Sequence, residues 1–281
     1  MVGANQSNSI HERFKIAAIQ MTSGMELEEN LSTAEKLIVD AKNSGADVVV
    51  LPEYFALMPN SNTQRANVAE MHGSGRVQQF LSEIAKDQNI WVVGGSHPIK
   101  SNDARKFFGR CYVYNPQGEQ LAHYDKVHLF DVSVKEKTEQ YCESDYTQPG
   151  FAPLVFSTPW TKIGVAICYD LRFPEYFRHL VDNGAEVILV PAAFTQTTGK
   201  LHWHTLLKAR AVENLSYLVA SAQSGTHQNG RTTYGHSCIY SPWGELLSEL
   251  DSGQGIVVSD IKLDYLRKLR NEFPALTHRR L

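Results

Sequence analysis

Cysteine is scarce and unpaired. The 281 residues hold four, Cys111, Cys142, Cys168 and Cys238, with no Cys-x-x-Cys spacing among them, which excludes zinc ribbons and dithiol redox motifs. A chain of this length buries a core without disulfide staples, so each is read as a free thiol. Long hydrophobic runs are missing as well: no uncharged apolar stretch reaches the roughly 18 residues of a membrane span. The polar start Met1-Val2-Gly3-Ala4-Asn5-Gln6-Ser7 lacks the basic and apolar regions of a secretion signal. A soluble, cytoplasmic protein is expected. Nor is one charge in excess, because 27 Lys and Arg against 30 Asp and Glu leave a formal charge of -3. Phosphate backbones select a basic surplus, so neither nucleic acid nor membrane is expected as a partner. Nucleotide and serine-hydrolase loops are absent too. Gly73-Ser74-Gly75 and Gly94-Gly95 lack the other glycines of a dinucleotide loop, Gly199-Lys200 is followed by Leu201, and no Gly-x-Ser-x-Gly occurs.

What is present is a series of short apolar runs alternating with helical patterns. Phe14 to Gln20 reads as a buried strand, and Leu27 to Asn43 as a helix with apolar residues at Leu31, Ala34, Leu37, Ile38 and Ala41, stopped by Gly45. Ala46 to Leu51 is a β-branched strand closed by Pro52, which has no N–H to donate. A second such unit runs from a helix at Val77 to Asp87 into Ile90 to Gly95. Gly109 to Tyr114 and Gln120 to Tyr124 read as a hairpin around Asn115-Pro116-Gln117-Gly118. The second half repeats the mixture. Strands are expected at Leu154 to Phe156, Thr161 to Ile167, Glu186 to Val190, Tyr217 to Ser221 and Gly255 to Asp260, with a hairpin from Tyr234 to Leu250. Helices are expected at Pro174 to Asn183, Leu201 to Leu215 and Leu263 to Arg270. No linker divides the series, so one α/β domain over residues 1–281 is expected, with residues 1–12 as a loose tail.

Cys168 stands out by position. It follows the apolar run Ile163-Gly164-Val165-Ala166-Ile167 and precedes Tyr169-Asp170-Leu171-Arg172-Phe173-Pro174, where a helix begins. A nucleophile at a strand-to-helix bend is presented at the sheet edge beside free backbone N–H groups. The plainer reading is a buried core thiol. A thiol with an ordinary pKa near 8.5 needs a base or a cation to react at neutral pH. Glu53 after one strand and Lys126 after another supply both, since crevices in open α/β sheets lie beyond the strands' carboxyl ends. Taken singly, Glu53 reads as a turn or cap carboxylate and Lys126 as a solvated surface amine. Asp170, Arg172 and Glu175 read as an ion-pair cluster holding the bend. His202 and His204, two apart on a helix, face different sides, and His123 and His128 have no ligand spacing, so no zinc site is expected.

Three ordered blocks carry a family resemblance: Leu51-Pro52-Glu53, Tyr124 to Asp131 (YDKVHLFD), and Gly164 to Glu175 (GVAICYDLRFPE). With these the chain resembles the nitrilase superfamily of carbon-nitrogen hydrolases from Phe14 to Arg280. The resemblance implies a four-layer α-β-β-α sandwich and a homodimer or higher oligomer. It implies Glu53 as general base, Lys126 as oxyanion stabiliser, Cys168 as nucleophile and Glu143 as a supporting carboxylate that orients Lys126. Residues 199–203, 209–214, 234–237, 242–244 and 278–280 are similar to the Nit branch. That similarity implies an amidase acting on deaminated glutathione to release 2-oxoglutarate and cysteinylglycine, or, as the alternative, on 2-oxoglutaramate. Lys200 stands where Nit proteins often have Pro, which leaves the substrate less fixed than the reaction.

The expected chemistry is acyl transfer through a Cys168 thioester to water, with the Tyr169 backbone N–H as a second oxyanion donor. Arg172, Thr198 and Phe194 are the expected contacts for a substrate carboxylate and its chain. No metal or organic cofactor enters. An amidase on another short aliphatic or ureido substrate, a nitrilase, a catalytically silent binding protein and a redox-sensing thiol are the competing readings. An electrophile that labels Cys168 and an amide assay separate them.

Overall fold

The computed structural model describes residues 12–134 and 139–280. The tail expected over residues 1–12 lies, apart from Glu12, outside the described residues. The first half contains β1 (Arg13–Gln20), α1 (Leu27–Asn43), β2 (Val48–Val50), α2 (Asn62–Val68), α3 (Arg76–Asp87) and β3 (Trp91–Val93). Then come β4 (His97–Lys100), β5 (Phe107–Tyr114), β6 (Gln120–Asp125), and a ribbon of β7 (Asp131–Val134) with β8 (Glu139–Cys142). The second half contains β9 (Leu154–Ser157), β10 (Lys162–Val165), α4 (Pro174–Asp182), β11 (Val187–Ala192), α5 (Gln196–Asn214) and β12 (Tyr217–Ala222). A small ribbon of β13 (Ser224–Thr226) and β14 (Thr232–Tyr234) precedes β15 (Ser237–Tyr240), β16 (Leu246–Leu250), β17 (Gly255–Lys262) and α6 (Leu263–Glu272).

A seven-strand sheet and a six-strand sheet result. One has the order β17-β1-β2-β3-β5-β4, with β6 added on β5, and the other the order β16-β15-β12-β11-β10-β9. The β-α-β units make β1, β2 and β3 mutually parallel, and likewise β10, β11 and β12. Strand alternation then sorts the side chains of β1 between two cores. Ala17 and Ile19 pack with Leu31 and Ile38 of α1 and Leu81 of α3, whereas Ile16 and Ala18 join a core with Ile163, Leu189 and Val219 of the other sheet. The far face of that second sheet is closed by Phe177 and Leu180 of α4 and by Trp203, Leu207 and Ala211 of α5. The layers are therefore α-β-β-α. Burial of each such aliphatic side chain is worth about 1.5–3 kcal/mol, so the sandwich is secured well away from any cleft at its edge.

Several boundaries differ from the sequence expectation for identifiable reasons. Helix α5 starts at Gln196 rather than Leu201, because the Thr195 hydroxyl caps it by accepting from the Thr198 N–H at 3.3 Å. Gly199, which suggests a loop, lies inside that helix; a Cβ there would stand 2.3 Å from Cγ of Tyr234. Glycine is what lets α5 lie on β14. Strand β10 is shorter than Thr161 to Ile167, since the chain is already bending at Ile167 to present Cys168. Helix α2, strand β4 and the β7–β8 ribbon have no counterpart in the sequence reading. Each is short and half-polar, so its periodicity is weak.

Candidate active site

The segments after β2, β6, β10 and β11 meet where the parallel strands end. Pro52 stops β2, and Gly95 of the neighbouring segment approaches so closely that a Cβ on it would lie 2.0 Å from the Pro52 carbonyl oxygen. Glu53 follows, 2% exposed. Its Oε2 accepts from the Ala193 N–H at 2.9 Å and its backbone carbonyl from the Gln223 side chain at 3.1 Å. Lys126 follows β6, its N–H donating to Gly109 at 3.1 Å and its carbonyl accepting from Gly150 at 2.9 Å. From that anchored backbone, Lys126 Nζ donates to Glu53 Oε1 at 2.8 Å and to both oxygens of Glu143, at 3.0 and 2.9 Å. Glu143 sits in a single 3-10 turn after β8, and its Oε2 also accepts from the Phe130 N–H at 2.7 Å.

An ammonium between two buried carboxylates keeps its charge. Burial alone lowers the Lys126 pKa, but Glu143 and Glu53 outweigh it and hold the pKa well above the ordinary value. Breaking such a buried pair by removing one partner is costly, because it strands the other charge without solvent.

Cys168 opens a 3-10 turn running to Arg172, with φ of 48°, in the left-handed region that a side chain with a Cβ rarely enters. Asp170 holds that bend. Its Oδ2 accepts from the Ile167 N–H and the Tyr124 hydroxyl, each at 2.7 Å, and its Oδ1 from the His128 N–H at 3.1 Å. Asp170 thus links the thiol's turn to the segment that carries Lys126. The cluster read as Asp170, Arg172 and Glu175 is corrected accordingly: the bend is held by Asp170 through backbone and aromatic donors, while Arg172 forms no ion pair with a described residue and Glu175 is exposed. At the open start of the turn the Tyr169 N–H donates to no acceptor among the described residues, as the first amides of a helical turn cannot. Burial, reinforced by the Glu53 charge beside it, pushes the Cys168 pKa up, against an opposing pull from Lys126. Those surroundings favour the thiol form of Cys168 over the thiolate.

These groups line one cleft of about 420 Å³ of empty space. Glu53, Lys126, Glu143, Cys168 and Tyr169 all face it, as do Phe194 and Thr198. Arg172 does not line it. Its guanidinium stands 3.4 Å from His202 Nδ1 and over the Phe194 ring at 5.3 Å from the centroid. The arginine that does reach the cleft is Arg231, with the aromatic walls Tyr54, Tyr141 and Tyr146. None of these four was singled out from the sequence; Tyr54, next to Glu53, was the one with a local signal. Outside the cleft lining, Glu249 Oε1 lies 2.7 Å from His236 Nδ1 and 3.3 Å from His204 Nε2. Spacing along the chain gave no hint of that cluster.

A buried thiol, a carboxylate able to take its proton, and a fixed ammonium beside an open N–H form the equipment for attack on a carbonyl carbon. The chain belongs to the carbon-nitrogen hydrolase family, which it matches over residues 15–271. Among its relatives, the deaminated glutathione amidase of Synechocystis sp. is 41% identical over 266 residues, covering 94% of this chain and 97% of that one. The omega-amidase NIT2-A of Xenopus laevis is 36% identical over 268 residues, 95% of each. The crystal structure of Nit3 from Saccharomyces cerevisiae, a member of branch 10 of the nitrilase superfamily, superposes with a TM-score of 0.87 at 29% identity, covering 99% of this chain and 100% of that one. The α-β-β-α sandwich is the fold of this hydrolase family. No helix among the described residues is long and apolar enough to cross a membrane.

Proposed function

We propose that this hydrolase is a thiol-dependent amidase that cleaves the amide of deaminated glutathione into 2-oxoglutarate and cysteinylglycine. The observation that carries the reaction is the contact of Lys126 Nζ with Glu53 Oε1 at 2.8 Å and with Glu143 Oε2 at 2.9 Å, beside Cys168 in one cleft. Glu53 accepts the Cys168 proton as Sγ bonds to the amide carbon and the carbonyl electron pair moves onto oxygen. Lys126 and the Tyr169 N–H stabilise that oxyanion, each donor of this kind being worth about 10²–10³ in rate. As the oxyanion collapses, the C–N bond breaks and Glu53 returns the proton to the leaving amine. Water, deprotonated by Glu53, then attacks the thioester and regenerates the thiol, releasing the carboxylic acid. Glu143 holds Lys126 between two negative groups throughout. Thr198 and Phe194 line the cleft as substrate contacts. No cofactor participates.

The chain acts as one domain in the cytoplasm and as a homodimer or larger homo-oligomer. The substrate reading is supported by the identity to the Synechocystis amidase. An omega-amidase activity on 2-oxoglutaramate, which releases ammonia, is the second reading, supported by the Xenopus relative. Both compounds present the same 2-oxo acid. The deciding experiment assays deaminated glutathione, 2-oxoglutaramate and a simple nitrile side by side with wild type and Cys168→Ala. We expect hydrolysis of deaminated glutathione by wild type, an acyl-enzyme adduct on intact mass, and neither with Cys168→Ala. Full turnover by Cys168→Ala would sink the mechanism.

A further inference from the structure

Arg231 follows the turn that joins β13 to β14, and its guanidinium enters the cleft without a counter-ion. Nη2 donates to the Ala193 carbonyl at 2.8 Å, and Nε, shielded from solvent, has no hydrogen-bond partner. The rings of Tyr54 and Tyr141 flank the guanidinium at 5.8 and 5.6 Å from their centroids. No carboxylate of a described residue pairs with it, although Glu53 acts on it through space. A guanidinium taken out of water without an anion carries an uncompensated desolvation cost. Its planar fork suits one ligand above others, a carboxylate held by two parallel hydrogen bonds.

Ala193 decides which end of the substrate meets it. The N–H of Ala193 binds Glu53 Oε2 at 2.9 Å, and the carbonyl of the same residue binds Arg231. Arg231 is thus tethered to the side of the cleft where Glu53 hands its proton to the departing amine. We infer that Arg231 anchors a carboxylate carried by the leaving amine, and so selects amides whose amine product is itself an acid over those that release ammonia. This inference rests on the amidase reading above and adds a second anionic contact, distinct from any that holds the 2-oxo acid.

The test is a cycle of enzyme and substrate. Wild type, Arg231→Met and Arg231→Lys are assayed with deaminated glutathione, with its analogue in which the terminal glycine carboxylate is a carboxamide, and with 2-oxoglutaramate. Wild type should prefer the carboxylate to the carboxamide by about 10- to 100-fold in kcat/KM, the range expected for a hydrogen-bonded charged pair. Arg231→Met should lose that preference, mainly through KM, and Arg231→Lys should keep part of it. The loss on deaminated glutathione should exceed the loss on 2-oxoglutaramate at least tenfold. A preference retained in full by Arg231→Met, or equal losses on all three substrates, would overturn the anchor. Thermal melting and alkylation of Cys168 report whether each variant is folded. If wild type hydrolyses none of the three compounds, the amidase reading fails, which is a different result from an amidase indifferent to Arg231.

Discussion

Asp170 Oδ2 and the Tyr124 hydroxyl lie 2.7 Å apart across the junction of the two halves of the molecule, and the same carboxylate oxygen caps the Ile167 N–H just before Cys168. Through this one buried residue the strained turn of Cys168 is registered against the segment that delivers Lys126. Asp170→Asn keeps the shape but replaces one acceptor by a donor facing existing donors. We expect about 2–4 kcal/mol lower stability and a fall in kcat larger than any change in KM. Tyr124→Phe removes a single donor and should cost about 1 kcal/mol. Denaturant unfolding and steady-state kinetics measure both. Wild-type kcat in Asp170→Asn would show that the turn holds itself.

The Lys126 ammonium separates two carboxylates. Lys126→Met leaves Glu53 and Glu143 facing each other without a cation, and should cost about 3–5 kcal/mol of stability together with all turnover. Adding Glu143→Leu should restore much of the stability and none of the activity. If the double variant is no more stable than the single one, the ion triad is not what holds this region.

Because burial and Glu53 raise the Cys168 pKa, iodoacetamide should label the free enzyme slowly at pH 7. A group with a raised pKa gains its ionised form only as pH climbs, so the labelling rate should rise about tenfold per pH unit through neutrality without levelling. A plateau by pH 7 would mean a resting thiolate paired with Lys126, and proton transfer to Glu53 before substrate arrives.

His97 on β4 is 2% exposed, and burial pushes its pKa from 6.5 down to about 3. The unfolded chain takes a proton here below about pH 6.5, while the folded one resists until about pH 3. The unfolded state then binds more protons. The contribution of His97 is fully present above pH 6.5 and falls with acidification by up to about 1.4 kcal/mol per pH unit. Guanidinium unfolding at pH 7, 6 and 5 should show a shallower acid slope for His97→Gln than for wild type. Identical slopes would place the acid sensitivity elsewhere.

How much of this was legible in the chain depends on the range of the interactions concerned. Helix α1 was readable to both ends, because its apolar spacing and its Gly45 stop are local. Glu53, Lys126 and Cys168 were readable as strand-end residues for the same reason, and the three blocks of family resemblance supplied their proposed roles. Glu143 came from the resemblance alone, since the β7–β8 ribbon that carries it has no clear period. Arg231 left no trace: a lone arginine in a Gly-Arg-Thr-Thr turn looks solvated until Ala193 and Tyr54 close over it.

By itself the sequence determined the order of the principal strands and helices and the residue types available at each strand end. Only the tertiary structure decided that Asp170 answers Tyr124 rather than Arg172, that Arg231 rather than Arg172 enters the cleft, and that Glu53 shares Ala193 with it. The physical reason is that propensity and periodicity report neighbours a few residues away, whereas a buried charge is settled by whichever partner the packed sheets bring near. For Glu53 and the Ala193 N–H that partner is 140 residues distant.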